Sequence, residues 1–365
     1  MRVGVIGGGQ LGRMLALAGH DLGIEVTTLD PAGDSPASQV APAIVATYED
    51  EGALLDLAAC SDVVTFEFEN VPAASSRFLA DRGVPLYPPP DALAVAQDRL
   101  AEKTLFTEVG LPVPTFAAVD DLASLHAAID AIGVPAVLKT RRLGYDGKGQ
   151  ARVHAHERAE DAWRAVGEVP SILEAFVSFE REVSILAARG RDGEVRAWPL
   201  VENHHRDGIL RVSYAPAPDI DELRSVADAH VAAVMARLDY VGVLAIELFV
   251  AADGGLLGNE MAPRVHNSGH WTIEGSQTSQ FAQHLRAVTG LPLGGTAMRG
   301  VAAMVNVIGE PIEPAGVLAV PGLTIHDYGK TPRPARKLGH MTVTADRWDD
   351  LRARVLQVVA DPADA

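Results

Sequence analysis

The chemistry open to this sequence rests on two glutamates, a lysine ahead of a glycine-rich loop, and a basic run near the C-terminus. Leu244-Ala245-Ile246-Glu247-Leu248-Phe249-Val250 is an apolar strand with one acid, and Asp253-Gly254 is a good two-residue hairpin turn. A turn there sets Glu247 directly opposite Glu260, where facing Cβ atoms stand about 4.5–5.5 Å apart. Two carboxylates that close among apolar neighbours need a counter-ion. Mg²⁺ suits them, because it takes oxygen ligands and bridges phosphates. The adjacent Asn259 should face the other way in a regular strand.

Leu138-Lys139-Thr140-Arg141-Arg142-Leu143-Gly144-Tyr145-Asp146-Gly147-Lys148-Gly149 is the most informative stretch. A strand, 136–140, delivers Lys139 to a loop carrying three glycines and three further basic residues. Backbone amides and cationic groups together suit a polyphosphate. The order of a Walker A loop is absent. A second run, Gly7-Gly8-Gly9-Gln10-Leu11-Gly12, leaves a strand and opens a helix, with Asp30 ending the next strand. That spacing fits a dinucleotide. It equally fits another phosphate, the substrate itself, or a tight βαβ turn with no ligand.

Lys330, Arg333, Arg336, Lys337 and His340 fall within eleven residues, stiffened by Pro332 and Pro334. Such a cluster can hold a phosphate monoester by charge-assisted hydrogen bonds, or stand as a solvated loop. His266 and His270 are four apart, a zinc spacing on a helix. Gly269 and Pro263 make the stretch a loop instead. Asn267 and the histidines are therefore read as hydrogen-bonding groups.

Strands 2–6, 24–30 and 63–66 alternate with helices 10–22 and 52–59, which implies a parallel sheet. Tyr87-Pro88-Pro89-Pro90 marks a domain exit. One helix is expected over 91–109, then strands at 136–140, 172–177, 182–188, 243–250 and 256–261, with helices 221–238 and 278–289. Short strands at 302–307, 324–328 and 340–343 and a helix, 348–359, form a third, smaller region.

The chain has 365 residues, 48% hydrophobic and 22% charged, which excludes a disordered or fibrous protein. No apolar run approaches the ~20 residues of a membrane span. The one cysteine, Cys60, is expected in the core; it excludes an internal disulfide and points to the cytoplasm. A net charge of −17 disfavours nucleic acid and anionic membranes as partners.

Taken together, the glycine loop, the glutamate pair and the basic cluster resemble the ATP-grasp superfamily. Gly7-Gly8-Gly9-Gln10-Leu11-Gly12-Arg13-Met14, Thr65-Phe66-Glu67-Phe68-Glu69-Asn70-Val71-Pro72, Gln97-Asp98-Arg99, Tyr145-Asp146-Gly147-Lys148-Gly149-Gln150, Asn259-Glu260-Met261-Ala262-Pro263-Arg264 and His266-Asn267-Ser268-Gly269-His270 resemble the 5-(carboxyamino)imidazole ribonucleotide synthase family. The match runs from Arg2 to about residue 358; Val265 stands where the family often has proline.

The resemblance implies an ATP-grasp fold, mixed α/β and α+β. It implies a Rossmann-like parallel-sheet domain over 1–98, an ATP-grasp domain over 99–298 (lid 115–178, metal-binding sheet 179–298) and a small β-rich C-terminal domain over 299–365. The implied activity is ATP- and bicarbonate-dependent N-carboxylation of 5-aminoimidazole ribonucleotide through carboxyphosphate, in de novo purine synthesis. It assigns Arg99, Lys139, Gly144, Tyr145, Asp146, Gly147, Lys148, Gly149, Gln150, Glu174, Ala175, Phe176, Val177, Glu182, His205, Asn259 and Glu260 to ATP. Glu247 and Glu260 would hold Mg²⁺, with Mn²⁺ as a substitute; Gln10, Leu11, Glu67, Asn267, Lys330, Arg336 and Lys337 would bind the ribonucleotide. Lys139, Tyr145, Asp146, His205 and Arg264 are the implied catalytic groups, His205 and Asp146 being the bases to choose between. A homodimer is the family expectation. The competing readings are a nicotinamide-dependent oxidoreductase, a sister ligase (a formate-dependent ribonucleotide transformylase or a carboxylase of a biotin-like acceptor), and a non-catalytic nucleotide-binding regulator.

Overall fold

The computed structural model describes residues 1–144 and 149–359. The first ninety residues form a parallel sheet of β1 (Arg2–Ile6), β2 (Glu25–Asp30), β3 (Ala43–Val45) and β4 (Val63–Phe66), in the order β3-β2-β1-β4. Val3, Val5, Ile6, Val64 and Phe66 are fully buried, as the near-continuous apolar strands of a covered parallel sheet require. Helix Gln10–Leu22 follows β1 and ends at Gly23, whose φ of 66° is the left-handed conformation of a helix C-cap. Cys60 lies at the end of helix Glu51–Ala59 and is only partly buried, so the expectation of a core cysteine fails.

The helix expected over 91–109 is two helices, Pro90–Ala96 and Arg99–Glu108. Asp98 breaks the run because its carboxylate caps the second helix, accepting from the amides of Leu100 (3.1 Å) and Ala101 (3.4 Å). Gln97, just before it, donates to the carbonyls of Glu69 and Val71.

A small antiparallel sheet follows: β5 (Phe116–Val119), β6 (Ala136–Thr140), β7 (Gln150–Val153) and β8 (Ser171–Ala175), ordered β5-β8-β6-β7. Helices Leu122–Ile132 and Ala159–Ala165 cover it through Leu125, Ile129 and Trp163. The rest of the chain builds one nine-stranded sheet from β9 (Phe179–Arg189), β10 (Val195–Ala197), β11 (Val201–Arg206), β12 (Ile209–Ala215), β13 (Gly242–Ala251), β14 (Leu256–Ala262), β15 (Val301–Ile308), β16 (Leu323–Asp327) and β17 (Lys337–Ala345). Its order is β14-β13-β9-β11-β12-β15-β17-β16, with β10 on the outer part of β9. The C-terminal strands thus continue the central sheet through the β12–β15 ladder.

Strand alternation sorts the residues of β9. Val183, Ile185 and Ala187 pack with Val231, Val234 and Met235 of helix Arg224–Arg237. Leu186 and Ala188 pack on the other side with Leu285 and Val288 of helix Gln280–Thr289 and with Leu11 and Leu15. Buried His284 ties the first sheet to the central one: its Nε2 is 2.8 Å from Thr65 Oγ1, and its Nδ1 accepts from the Val243 amide at 3.1 Å. Burial pushes its pKa down to about 4, so it stays neutral. No described helix is long and apolar enough to cross a membrane.

Candidate active site

Glu247 and Glu260 face each other across β13 and β14. The pairing arises differently from the sequence expectation. Leu256 pairs with Val250, and the Ala251 amide bonds to the Gly255 carbonyl, so the loop has three residues, not two. That slips the register by one, and a bulge at Asn259 slips it back. Asn259 is the extra residue of that bulge, so the regular alternation expected for it does not apply. Burial and the charge of Glu260 push the Glu247 carboxyl up to about 7. Burial pushes Glu260 up as well, but the Arg99 guanidinium, 2.9 Å away, outweighs it and holds the group below its ordinary value.

Helix Arg99–Glu108 serves β14 from one face. Arg99, Glu102 and Lys103 stand at i, i+3 and i+4, which brings them together on a helix. Arg99 pairs with Glu260, Glu102 accepts from the Met261 amide (2.6 Å), and Lys103 donates to the Gly258 carbonyl (2.9 Å). Gly258 is pressed against this helix; a Cβ there would stand 3.0 Å from Leu111 and Phe106. Glu102 and Lys103 were missed by sequence reasoning, although their helical spacing behind Arg99 was a usable signal.

Lys103 also lies 3.6 Å from Glu174, whose Oε2 accepts from Lys139 at 2.9 Å. Burial raises and the two lysines lower the Glu174 carboxyl, and the lysines win. Its Oε1 is buried without a partner. Ala175 and Phe176 use their amides on Thr115 and Pro135, and the Phe176 ring is 44% exposed beside Val177. Glu182 Oε2 lies 3.0 Å from His205 Nδ1. Burial lowers that imidazole, but Glu182 and Glu247 raise it above its ordinary value. Gly149 accepts from the Thr140 amide, and Gln150 pairs with Lys139 across β6 and β7; Gly144 lies outside any strand or helix. Tyr145, Asp146, Gly147 and Lys148 lie outside the described residues. Arg141 and Arg142, counted with the phosphate-binding cations, are ion-paired with Asp120 and Asp98.

The first glycine turn carries its own anions. Glu67, at the end of β4, accepts from Gly9 (2.9 Å) and Gly12 (3.2 Å), and Asp30 accepts from Gly8 (2.7 Å) and Tyr48 (2.9 Å). These carboxylates occupy the helix N-terminus that a pyrophosphate would use, so the nicotinamide reading loses its site. Leu11 buries its side chain in the core, which leaves only its backbone for a ligand. Gln10 Oε1 accepts from Lys330, which brings the C-terminal basic cluster against the glycine turn. Burial, then Arg336, pushes Lys330 down to about 8. Arg336 donates to the Thr331 carbonyl. Lys337 lies close enough to Glu69, Glu247 and Lys330 to shift all three. Arg264 is ion-paired with Glu69. Asn267 exchanges two hydrogen bonds with Asn306 of β15, a partner the sequence did not single out.

The ladders align these groups. Glu260 faces Glu247, Glu247 faces Ser184, Asn203 faces Glu182 and Ser213, and all lie on one face of the sheet. A paired-glutamate hairpin in the central sheet, preceded along the chain by a parallel-sheet domain and a small antiparallel sheet, defines an ATP-grasp ligase. Family models agree along the chain: a ribonucleotide synthetase preATP-grasp domain over 1–97, an ATP-grasp domain over 104–281 and a phosphoribosylaminoimidazole carboxylase C-terminal domain over 302–354. The chain belongs to the N5-carboxyaminoimidazole ribonucleotide synthase family. It is 52% identical over 360 residues to the synthase of Pseudomonas aeruginosa, covering 99% of each chain. The crystal structure of the Thermus thermophilus enzyme is 53% identical with a TM-score of 0.94, covering 98% of this chain and 99% of that one. The Aspergillus clavatus enzyme, solved with ADP and 5-aminoimidazole ribonucleotide, is 32% identical with a TM-score of 0.90, covering 97% and 96%.

Proposed function

We propose that this ligase forms N5-carboxyaminoimidazole ribonucleotide from ATP, bicarbonate and 5-aminoimidazole ribonucleotide with the residues described above. The observation that carries the site assignment is the Lys330–Gln10 contact, linked to the Glu247–Glu260 pair through Lys337, whose charge acts on both Lys330 and Glu247. It supports a phosphate-binding cluster and a metal–nucleotide centre opening on one cleft. The donor set fits Mg²⁺: two facing carboxylates, one pushed up to about 7 by burial and by the charge of the other. Glu247 and Glu260 would hold the cation, which would supply charge compensation for the ATP phosphates. Mn²⁺ is the natural substitute probe.

Bicarbonate is a poor electrophile until phosphorylated; carboxyphosphate then offers phosphate as leaving group. The protein's part is alignment and charge compensation. Arg99 and Lys139, with Lys148 and the amides of Gly144, Gly147 and Gly149, hold the phosphates. Glu174, Ala175, Phe176, Val177, Glu182, His205 and Asn259 complete the ATP site. Tyr145 and Asp146 belong to the ribonucleotide pocket in this reading, where water must be kept from the acyl phosphate. Gln10, the Leu11 backbone, Glu67, Asn267, Lys330, Arg336 and Lys337 hold the ribonucleotide, and Arg264, fixed by Glu69, is a further catalytic group. His205, drawn toward its charged form by Glu182 and Glu247, and Asp146 are the groups able to relay the amine proton. The reading includes a homodimer acting in the cytoplasm; sedimentation equilibrium checks the dimer.

The test is ADP release with Mg²⁺-ATP and bicarbonate, with and without 5-aminoimidazole ribonucleotide. Stimulation by the ribonucleotide that requires bicarbonate is expected. Stimulation by formate and a different amine would move the chain to a sister ligase.

A further inference from the structure

A buried chain of hydroxyls and amides crosses the central sheet and ends at His266. Ser213 Oγ on β12 donates to Asn203 Oδ1 on β11 (2.8 Å), and Asn203 Nδ2 donates to Ser184 Oγ on β9 (3.0 Å). Ser184 Oγ donates to Ser268 Oγ (2.8 Å), in the 3₁₀ turn Asn267–Gly269. The Ser268 proton is then left for His266 Nδ1, 2.9 Å away, which also faces the Ser268 amide at 3.4 Å. Ser184, Ser213 and Ser268 have no exposed surface, and Asn203 has 5%.

The direction of this chain has one chemical consequence. A ring nitrogen that accepts from both a hydroxyl and an amide carries no proton. The imidazole proton therefore sits on Nε2, which lies 3.5 Å from Glu247 Oε1. Glu247 stands on β13, opposite Ser184, so the relay starts two strands beyond the carboxylate's neighbour and returns to it from the loop side.

We infer that His266 is a positioning residue for the Glu247 carboxylate: the Ser213–Asn203–Ser184–Ser268 chain fixes its Nε2–H tautomer, and that N–H, turned toward Oε1, orients the carboxylate that would hold the cation. The inference rests on the metal reading above and adds to it an outer residue, together with the relay that sets its tautomer. Such outer hydrogen bonds fix ligand orientation, and losing one typically costs 10–100-fold in metal affinity. A glutamine at 266 can place an amide N–H near the Nε2 position; a leucine cannot.

The test uses the full chain without nucleotide. Free Mn²⁺ is read by electron paramagnetic resonance, and the imidazole nitrogens by ¹⁵N NMR of ¹⁵N-histidine protein. In the wild type, His266 Nδ1 should resonate as unprotonated and Nε2 as protonated. His266→Leu should weaken Mn²⁺ binding roughly tenfold, and His266→Gln should restore most of it. Ser268→Ala leaves Nδ1 only the residue-268 amide at 3.4 Å, so the share of the Nε2–H tautomer should fall, and it serves as the second variant if His266→Leu fails to fold. Equal Mn²⁺ affinity in His266→Leu and wild type overturns the inference, as does an unchanged tautomer in Ser268→Ala. A wild type that binds no Mn²⁺, even with the expected tautomer, overturns the metal reading instead and takes the inference with it.

Discussion

Replacing Glu247 by glutamine should stabilise the metal-free protein at high pH. Glu247 faces Glu260 and has a side chain only 16% exposed, and its carboxyl is raised from 4.5 to about 7. Arg99 holds Glu260 ionised, so the proton of the pair goes to Glu247. In the unfolded chain the group loses its proton near 4.5; in the folded chain it keeps it until about 7. The folded state therefore binds more protons across that window, and stability falls as pH rises through it. At about 1.4 kcal/mol per pH unit the loss reaches about 3 kcal/mol by pH 8. Glutamine imitates the protonated carboxyl and loses nothing. With chelator present, wild type and Glu247→Gln should melt together at pH 5 and separate at pH 8, the variant higher. For a chain of this size, at about 2 °C per kcal/mol, the gap is about 6 °C. Millimolar Mg²⁺ at pH 8 should raise the wild type and leave the variant unmoved. The reasoning fails if the gap is the same at pH 5 and pH 8, or if Mg²⁺ moves both proteins alike.

Lys103→Met should leave Glu174 with Lys139 alone and the Gly258 carbonyl unpaired; unfolding should cost about 3 kcal/mol less, and the KM for ATP should rise while that for the ribonucleotide holds. Asp98→Ala removes a helix cap worth about 1 kcal/mol and loosens Arg99, so calorimetry should show a small stability loss beside weaker ATP binding. Glu67→Gln sets an amide N–H₂ among the Gly9 and Gly12 amides and should destabilise by about 2 kcal/mol. Fluorescence titration should show no NADH binding in either protein. Lys330 loses its charge as pH rises through about 8, so the KM for the ribonucleotide should climb above pH 8; a flat profile in steady-state assays would remove Lys330 from the phosphate site.

The opposition of Glu247 and Glu260 was legible in the sequence, but for a reason the structure replaces. A two-residue turn and a regular ladder give the same pairing as a three-residue loop with a bulge at Asn259. The apolar alternation is blind to such a compensated slip. Lys139 was legible because a strand runs straight into glycines. The partners that fix these groups were not. Glu67 caps a turn more than fifty residues away, and the glycine spacing alone reads as a dinucleotide site whether or not an internal carboxylate fills it. Glu102 and Lys103 stayed hidden because the expected single helix over 91–109 carries no break at Asp98 to fix its phase. Ser184, Asn203 and Ser213 are ordinary strand residues until the order β9-β11-β12 sets them side by side, and strand order is a long-range fact that local patterning does not contain.

The ladder between β12 and β15 also governs how the chain comes to be made. Along the sequence, residue 299 looks like a place to cut; across the sheet it is a seam in mid-fabric. During synthesis β12 waits with one row of backbone N–H and C=O groups unmatched until Val301–Ile308 emerges. Val212 and Tyr214 wait uncovered beside it. An open edge flanked by apolar side chains invites pairing with another chain. A fragment ended at residue 298 would keep that edge for good, and aggregation rather than a stable nucleotide-binding core is its natural fate.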